Sequence, residues 1–162
     1  MEKNILWHST SHILATAIRR LFGKVRLGIG PAIEEGFYYD FDYSFTPEDL
    51  PKIEEEMKKI IGEDQRFEKQ IVSKEEAEKI LSEDNQSYKI ELLSGILDAE
   101  VSFYKNGEFI DLCKGHHISS TKEVKAFKLL RIAGAYWKGN EKNPMLTRIY
   151  GISFDSKSEL DE

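Results

Sequence analysis

The chain has 162 residues, 40% apolar and 32% charged, a balance that fits one folded domain with a real core and excludes an intrinsically disordered polypeptide. Its net charge of −6 argues against tight, unaided binding of nucleic acid, because phosphate contacts and counterion release need a concentrated basic surface. A single cysteine, Cys113, excludes an internal disulfide and leaves a buried small residue, a ligand or a reactive thiol as its readings.

No apolar run approaches membrane-spanning length and the first residues lack the pattern of a secretory signal, so a cytoplasmic chain with no membrane partner is expected. The first element is a helix over residues 4–22, where Leu6, Ile13, Leu14, Ala17, Ile18 and Leu21 recur at helical spacing and Gly23 offers a stop. At roughly 100° per residue, His8, His12, Ala15 and Arg19 share a stripe beside the most apolar face, so two of the four histidines project together.

The segment LGIGPAIEEG reads as a glycine-punctuated loop before a strand with Phe37, Tyr39, Phe41 and Tyr43 on a buried face and Tyr38, Asp40 and Asp42 on a wet one. Thr46-Pro47 with Asp49 marks the start of an amphipathic helix through Leu50, Ile53, Met57 and Ile60 to Gly62. RFEKQIV is expected as a strand, Ser73 and Glu76 carry a capping-box signature for a helix through Leu81, and residues 88–93 form a short helix.

VSFYKNGEFIDLC holds two alternating runs about Asn106-Gly107, the dipeptide suited to a type I′ hairpin turn. Asp111 and Cys113 then leave the second strand on one face, and Gly115 relaxes the backbone so that Cys113 and His117 converge. Residues 127–137 and 145–154 read as two further strands, although period alone also allows a helix for the first. The fold class is α+β, an antiparallel sheet with helices packed on one side.

An H-x-x-x-H pair on a helix and a C-x-x-x-H pair after a strand supply three imidazoles and one thiol, either a full tetrahedral set for zinc or three ligands with one group left for acid/base work. Taken singly, a histidine pair at this spacing is more often packing, and a lone cysteine more often inert. No nucleophile elbow, phosphate loop or H-E-x-x-H occurs, which removes those catalytic classes.

HSTSHILATAI, LGIGPAIEEGFYYDFD, DLCKGHH and KAFKLLRIAGAYWKGNEKNPMLTRIYG together resemble the editing domain of threonyl-tRNA synthetase, the second additional domain of that family, over residues 5–154. AGAYWKG and MLTRIYG separate it from the related alanyl-tRNA editing domains, which share the two His/Cys pairs but not that segment. The resemblance implies a fold of the second-additional-domain type and hydrolysis of serine from tRNA(Thr), with threonine spared. Such a step answers a known limit of aminoacyl-tRNA synthetases as a class: a pocket built for the larger side chain rejects one lacking a methyl by only about 1–3 kcal/mol. A second site can exclude the larger side chain by a clash.

By the same resemblance His8, Lys89, Asp111 and His117 are the catalytic candidates, and His12, Tyr39 and Cys113 line the substrate pocket. The partners implied are the 3′-terminal adenosine of tRNA(Thr) carrying serine and the remaining domains of a parent, ATP-binding ligase. No cofactor is expected in the domain; zinc, if bound, would be held by His8, His12, Cys113 and His117, as in the alanyl-type relatives. His116 stands where relatives commonly carry proline. Residues 1–154 are expected to form the editing domain and residues 155–162 the start of a linker to an aminoacylation domain. Two other readings are a zinc-dependent, free-standing alanyl-type editor and a non-catalytic tRNA-binding fragment.

Overall fold

The computed structural model describes residues 2–156 and contains four α-helices and eight antiparallel strands divided between two sheets. The α+β class holds, with the strands forming two sheets where one was expected. In the larger, β1 (Arg26–Leu27), β3 (Gly36–Asp42), β8 (Met145–Phe154) and β7 (Ala126–Tyr136) lie in that order, with β2 (Ala32–Ile33) also pairing β3. The smaller holds β4 (Glu68–Ser73), β5 (Glu100–Asn106) and β6 (Phe109–Leu112). No helix among the described residues is long and apolar enough to cross a membrane.

Helix α1 (Lys3–Phe22) is the centre of the molecule: every residue from Leu6 to Ile18 except the half-buried His8 is buried. The helix was expected to carry its histidine stripe beside the apolar face. Instead the stripe runs through protein, with His12 and Ala15 fully enclosed, because a second layer covers it. On one side Ile13, Leu14 and Ile18 pack against Phe37, Tyr39, Phe41 and Ile149 of the larger sheet and against Ile53, Met57 and Ile60 of α2 (Asp49–Gly62). Trp7 Nε1 and Thr10 Oγ1 are tied to the carbonyl (2.8 Å) and hydroxyl (2.7 Å) of Ser153. The β5–β6 hairpin closes the other side, where Phe109 meets the His12 ring edge-on at 5.7 Å.

That hairpin turns one residue later than its sequence suggests. Asn106 pairs with Phe109, so Gly107 and Glu108 are the two loop residues; Gly107 has φ 59° and takes the first central position, as in a II′ turn. Asn106 is instead buried and donates through Nδ2 to Thr16 Oγ1 (3.1 Å) and Gln65 Oε1 (3.0 Å), a tie to α1 that outranks its turn preference.

Of three further expectations, two hold in the main and one changes. Residues 127–137, ambiguous in period, are strand except at their end, where Trp137 begins a short 3₁₀ turn. On β3 the wet face is partly covered: Asp40 is buried because Arg148 grips it at 2.8 and 3.0 Å, whereas Tyr43 lies past the strand end and is exposed. The Ser73 hydroxyl accepts the Glu76 backbone N–H at the start of α3 (Lys74–Glu83), while a reciprocal capping box forms at Ser120 and Glu123, which sequence reading passed over. Helix α4 (Ser87–Ser94) matches its expected place. Of the linker expected at residues 155–162, positions 157–162 lie outside the described residues.

Asn106→Ala removes both ties while leaving the turn glycine in place. It should lower the unfolding free energy by about 1–3 kcal/mol, read from urea unfolding at unchanged m value. An unchanged midpoint would show that the two hydrogen bonds contribute nothing net.

Candidate functional site

Five elements deliver one side chain or more to a single cluster. Helix α1 brings His8 and His12, β3 brings Tyr39, α4 brings Lys89, and β6 with the loop after it brings Asp111, Cys113 and His117. All seven residues singled out from sequence therefore meet, while His116 is exposed. Alternation along β6 carries Asp111 inward, and Gly115, at φ 91°, turns the chain back so that His117 Nε2 lies 3.3 Å from Cys113 Sγ.

Asp111 is the hub. Its Oδ2 accepts from the Tyr39 hydroxyl at 2.6 Å and lies 3.5 Å from His12 Nε2, and its Oδ1 lies 2.9 Å from the Lys89 ammonium. Carboxylate and ammonium are each about 4% exposed, so this is a buried ion pair, in which, among the described residues, Asp111 Oδ1 faces the ammonium without making a hydrogen bond. Beside it, Cys113 Sγ lies 3.4 Å from His8 Nε2, and the rings of His8 and His12 stand 4.4 and 4.3 Å from that of His117.

A cleft of about 230 Å³ opens onto part of this cluster, lined by His8, His12, Lys89, Asp111 and Cys113 and walled by Gly30, Pro31 and Leu92. Tyr39 and His117 stand behind it, Tyr39 beneath Asp111 and His117 behind Cys113, stacked on Phe67 and edge-on to Tyr104. The Gly30 wall depends on the lack of a side chain, since a Cβ there would lie 2.0 Å from the Tyr39 ring. A larger groove of about 470 Å³, with Ile71 and Ile96 on its walls and Lys69 at its edge, shares Leu92, Leu112, Cys113 and Lys114 with the cleft. Phe67, Tyr104, Leu92 and the Gly30-Pro31 wall escaped sequence reading because they act by shape, for which residue type gives no signal.

Burial governs the chemistry of the cluster. It lowers the basicity of all three imidazoles, most for His12 and His117, with the charge of Asp111 opposing it in part at His8 and His117. Burial and then Asp111 push the Cys113 thiol up to about 12, and the same two causes hold Tyr39 well above its usual range. The cleft therefore presents neutral imidazoles and a protonated thiol at neutral pH.

The donor set also fits a zinc ion. The four ligating atoms of His8, His12, Cys113 and His117 lie within 4.8 Å of one another. Tetrahedral zinc with ligands at 2.0–2.3 Å holds them about 3.5 Å apart, close to the two sulfur–nitrogen separations here. Among the described residues His12 Nδ1 is buried with no hydrogen-bond partner, as a nitrogen reserved for a ligand would be.

Because the folded chain keeps these imidazoles neutral while an unfolded chain protonates them near pH 6.5, the unfolded state binds more protons below that pH. Stability should be full above about pH 6.5 and fall as the pH drops through it, and His12→Gln should flatten that slope. Urea unfolding of chelator-treated protein between pH 7 and pH 5 measures both; equal slopes in the two proteins would mean that His12 is not held neutral.

A family model described as the threonyl and alanyl tRNA synthetase second additional domain matches residues 101–150, which hold the hairpin, Asp111, Cys113 and His117. The chain is 61% identical to the threonine--tRNA ligase of Caldanaerobacter subterraneus subsp. tengcongensis over 99% of its own length and 25% of that relative. To those of Acetivibrio thermocellus and Carboxydothermus hydrogenoformans it is 60% and 56% identical, over 95% and 99% of its length and 25% and 26% of theirs. It thus spans about a quarter of the length of the curated relatives it matches. Residues 101–150 thus match the threonyl and alanyl tRNA synthetase second additional domain, and nearly the whole chain is similar to one segment of threonine--tRNA ligases.

Proposed function

We propose that this domain is a deacylase that hydrolyses the ester joining serine to the 3′-terminal adenosine of tRNA(Thr) and spares the threonyl ester. The observation that carries the reading is the convergence of Lys89, Asp111, His8, His12 and Cys113 on one small cleft. Ester hydrolysis needs a base for water, positive charge near the carbonyl oxygen and a wall that fixes the acyl group, and the cleft offers all three. Residues 1–154 constitute the domain, joined by residues 155–162 to the rest of a threonyl-tRNA ligase whose other domains supply most of the affinity for tRNA.

Water attacks the seryl carbonyl and gives its proton to a neutral imidazole, His8 being the half-buried one on the cleft wall. The carbonyl π bond opens to an oxyanion, which the Lys89 ammonium stabilises. As that oxyanion collapses, the bond to the ribose oxygen breaks, and the imidazolium returns the proton to it. Asp111 keeps Lys89 in place, and Tyr39 and His12 keep Asp111 in place. His117 acts from behind Cys113. Threonine is refused because its extra methyl has no room beside the thiol and the imidazoles.

A second reading, a zinc-dependent editor of the alanyl type, is favoured by the four-donor set and the unpartnered His12 Nδ1. Zinc held by His8, His12, Cys113 and His117 would supply Lewis acidity. Lys89, Asp111 and Tyr39 would keep the roles given above.

Seryl and threonyl esters of tRNA(Thr), and seryl and alanyl esters of tRNA(Ala), incubated with the chain at high concentration separate these readings when zinc is assayed on the same sample. Selective loss of serine from tRNA(Thr), unaffected by chelator and cut about 10²–10⁴-fold by His8→Ala, is expected. Chelator-sensitive cleavage with stoichiometric zinc would favour the second reading. If all the esters survive saturating protein that still binds tRNA, the chain is a binding module and the deacylase reading is wrong.

A further inference from the structure

The hydroxyl of Ser9, fully buried between the two histidines of α1, touches three polar atoms. Its Oγ lies 2.8 Å from the Ile5 carbonyl oxygen one turn earlier, 2.9 Å from the Ile118 backbone nitrogen and 2.9 Å from His117 Nδ1. A hydroxyl has one hydrogen and two lone pairs. The Ile5 carbonyl can only accept and the Ile118 N–H can only donate, so the hydrogen points to Ile5 and one lone pair takes Ile118. What remains for His117 is the other lone pair, which requires a hydrogen on Nδ1. The reverse arrangement would leave two oxygens 2.8 Å apart at Ile5 with no hydrogen between them.

We infer that Ser9 is a positioning residue that fixes His117 as its Nδ1–H tautomer and so sets the direction of a hydrogen-bond chain running through Cys113 to His8. With Nδ1 protonated, the lone pair of His117 is on Nε2, 3.3 Å from Cys113 Sγ, and the thiol hydrogen goes there. The sulfur is then an acceptor for its other neighbours, the Gly115 N–H at 3.3 Å and His8 Nε2 at 3.4 Å. The sulfur lone pair at His8 Nε2 assigns the His8 hydrogen to Nε2 and its lone pair to Nδ1, although the His116 backbone carbonyl also faces the His8 ring as an acceptor. Resting on the deacylase reading, this last step names His8 Nδ1 as the nitrogen that receives the proton of the attacking water. A serine two layers from the substrate thereby decides which nitrogen of the base is free.

The test uses the full chain labelled with ¹⁵N-histidine and treated with chelator. Imidazole ¹⁵N spectra at neutral pH should show His117 with a pyrrole-type Nδ1 and a pyridine-type Nε2, and His8 with the opposite assignment. Ser9→Ala should release both rings into mixed tautomers and lower kcat for seryl ester hydrolysis about tenfold to a hundredfold, with KM nearly unchanged; Ser9→Thr, which keeps the hydroxyl, should restore both. A wild-type His117 protonated on Nε2, or an unaltered spectrum in Ser9→Ala, overturns the inference. The wild-type spectrum decides even if Ser9→Ala fails to fold. Correct tautomers in a chain that cleaves no ester would sink the deacylase reading while leaving the role of Ser9 intact.

Discussion

Asp111 is a carboxylate almost wholly removed from water, and the arrangement of the domain follows from what it takes to keep it there. Removing a charge from water costs several kcal/mol, which a single counter-ion offsets only when further hydrogen bonds complete the geometry. Lys89 supplies the counter-ion from α4, Tyr39 a hydroxyl from β3, and His12 an imidazole from α1. These elements are far apart in sequence and belong to different layers, so all three groups reach the carboxylate only when the larger sheet, the central helix, α4 and the hairpin are in place. Folding and assembly of the site are one event.

The same enclosure explains the electrostatic character of the cluster. Three imidazoles and a thiol crowd together without repulsion because burial keeps each in its uncharged form. Charge is confined to the Lys89–Asp111 pair at one side, and the neutral groups beside it are joined by hydrogen bonds whose direction is then a matter of tautomer. A site of this kind is poised to move one proton at a time, with little change in its net charge.

Much of the fold was legible in sequence where one physical signal dominated. The apolar period of α1, the alternation of β5 and β6 and the aromatic run of β3 all reappear as elements. Alternation also foretold that Asp111 and Cys113 share a face, and helical spacing that His8 and His12 project together. The misreadings have a common cause in tertiary competition. Asn106 left the turn to bond Thr16, Asp40 left water to meet Arg148, and the strands formed two sheets because α1 needed cover on both sides. The cluster's acceptors and donors were written in residue types, whereas the shape of the cleft, set by Gly30, Pro31 and Leu92, came only with the fold.

Helix α1 has almost no solvent face between Leu6 and Ile18, and this joins two properties that most proteins keep on separate elements. In a typical enzyme the groups that do chemistry sit on loops, which can drift in sequence while the core is conserved for packing. Here the residues that support the larger sheet and those that face the cleft alternate along one buried rod. A change selected for one is felt by the other, so the helix can evolve only through substitutions that satisfy volume and chemistry together. The shape of the cleft is therefore more freely tuned from the walls, by Gly30-Pro31, α4 and the loop after β6, than from the helix that carries its histidines.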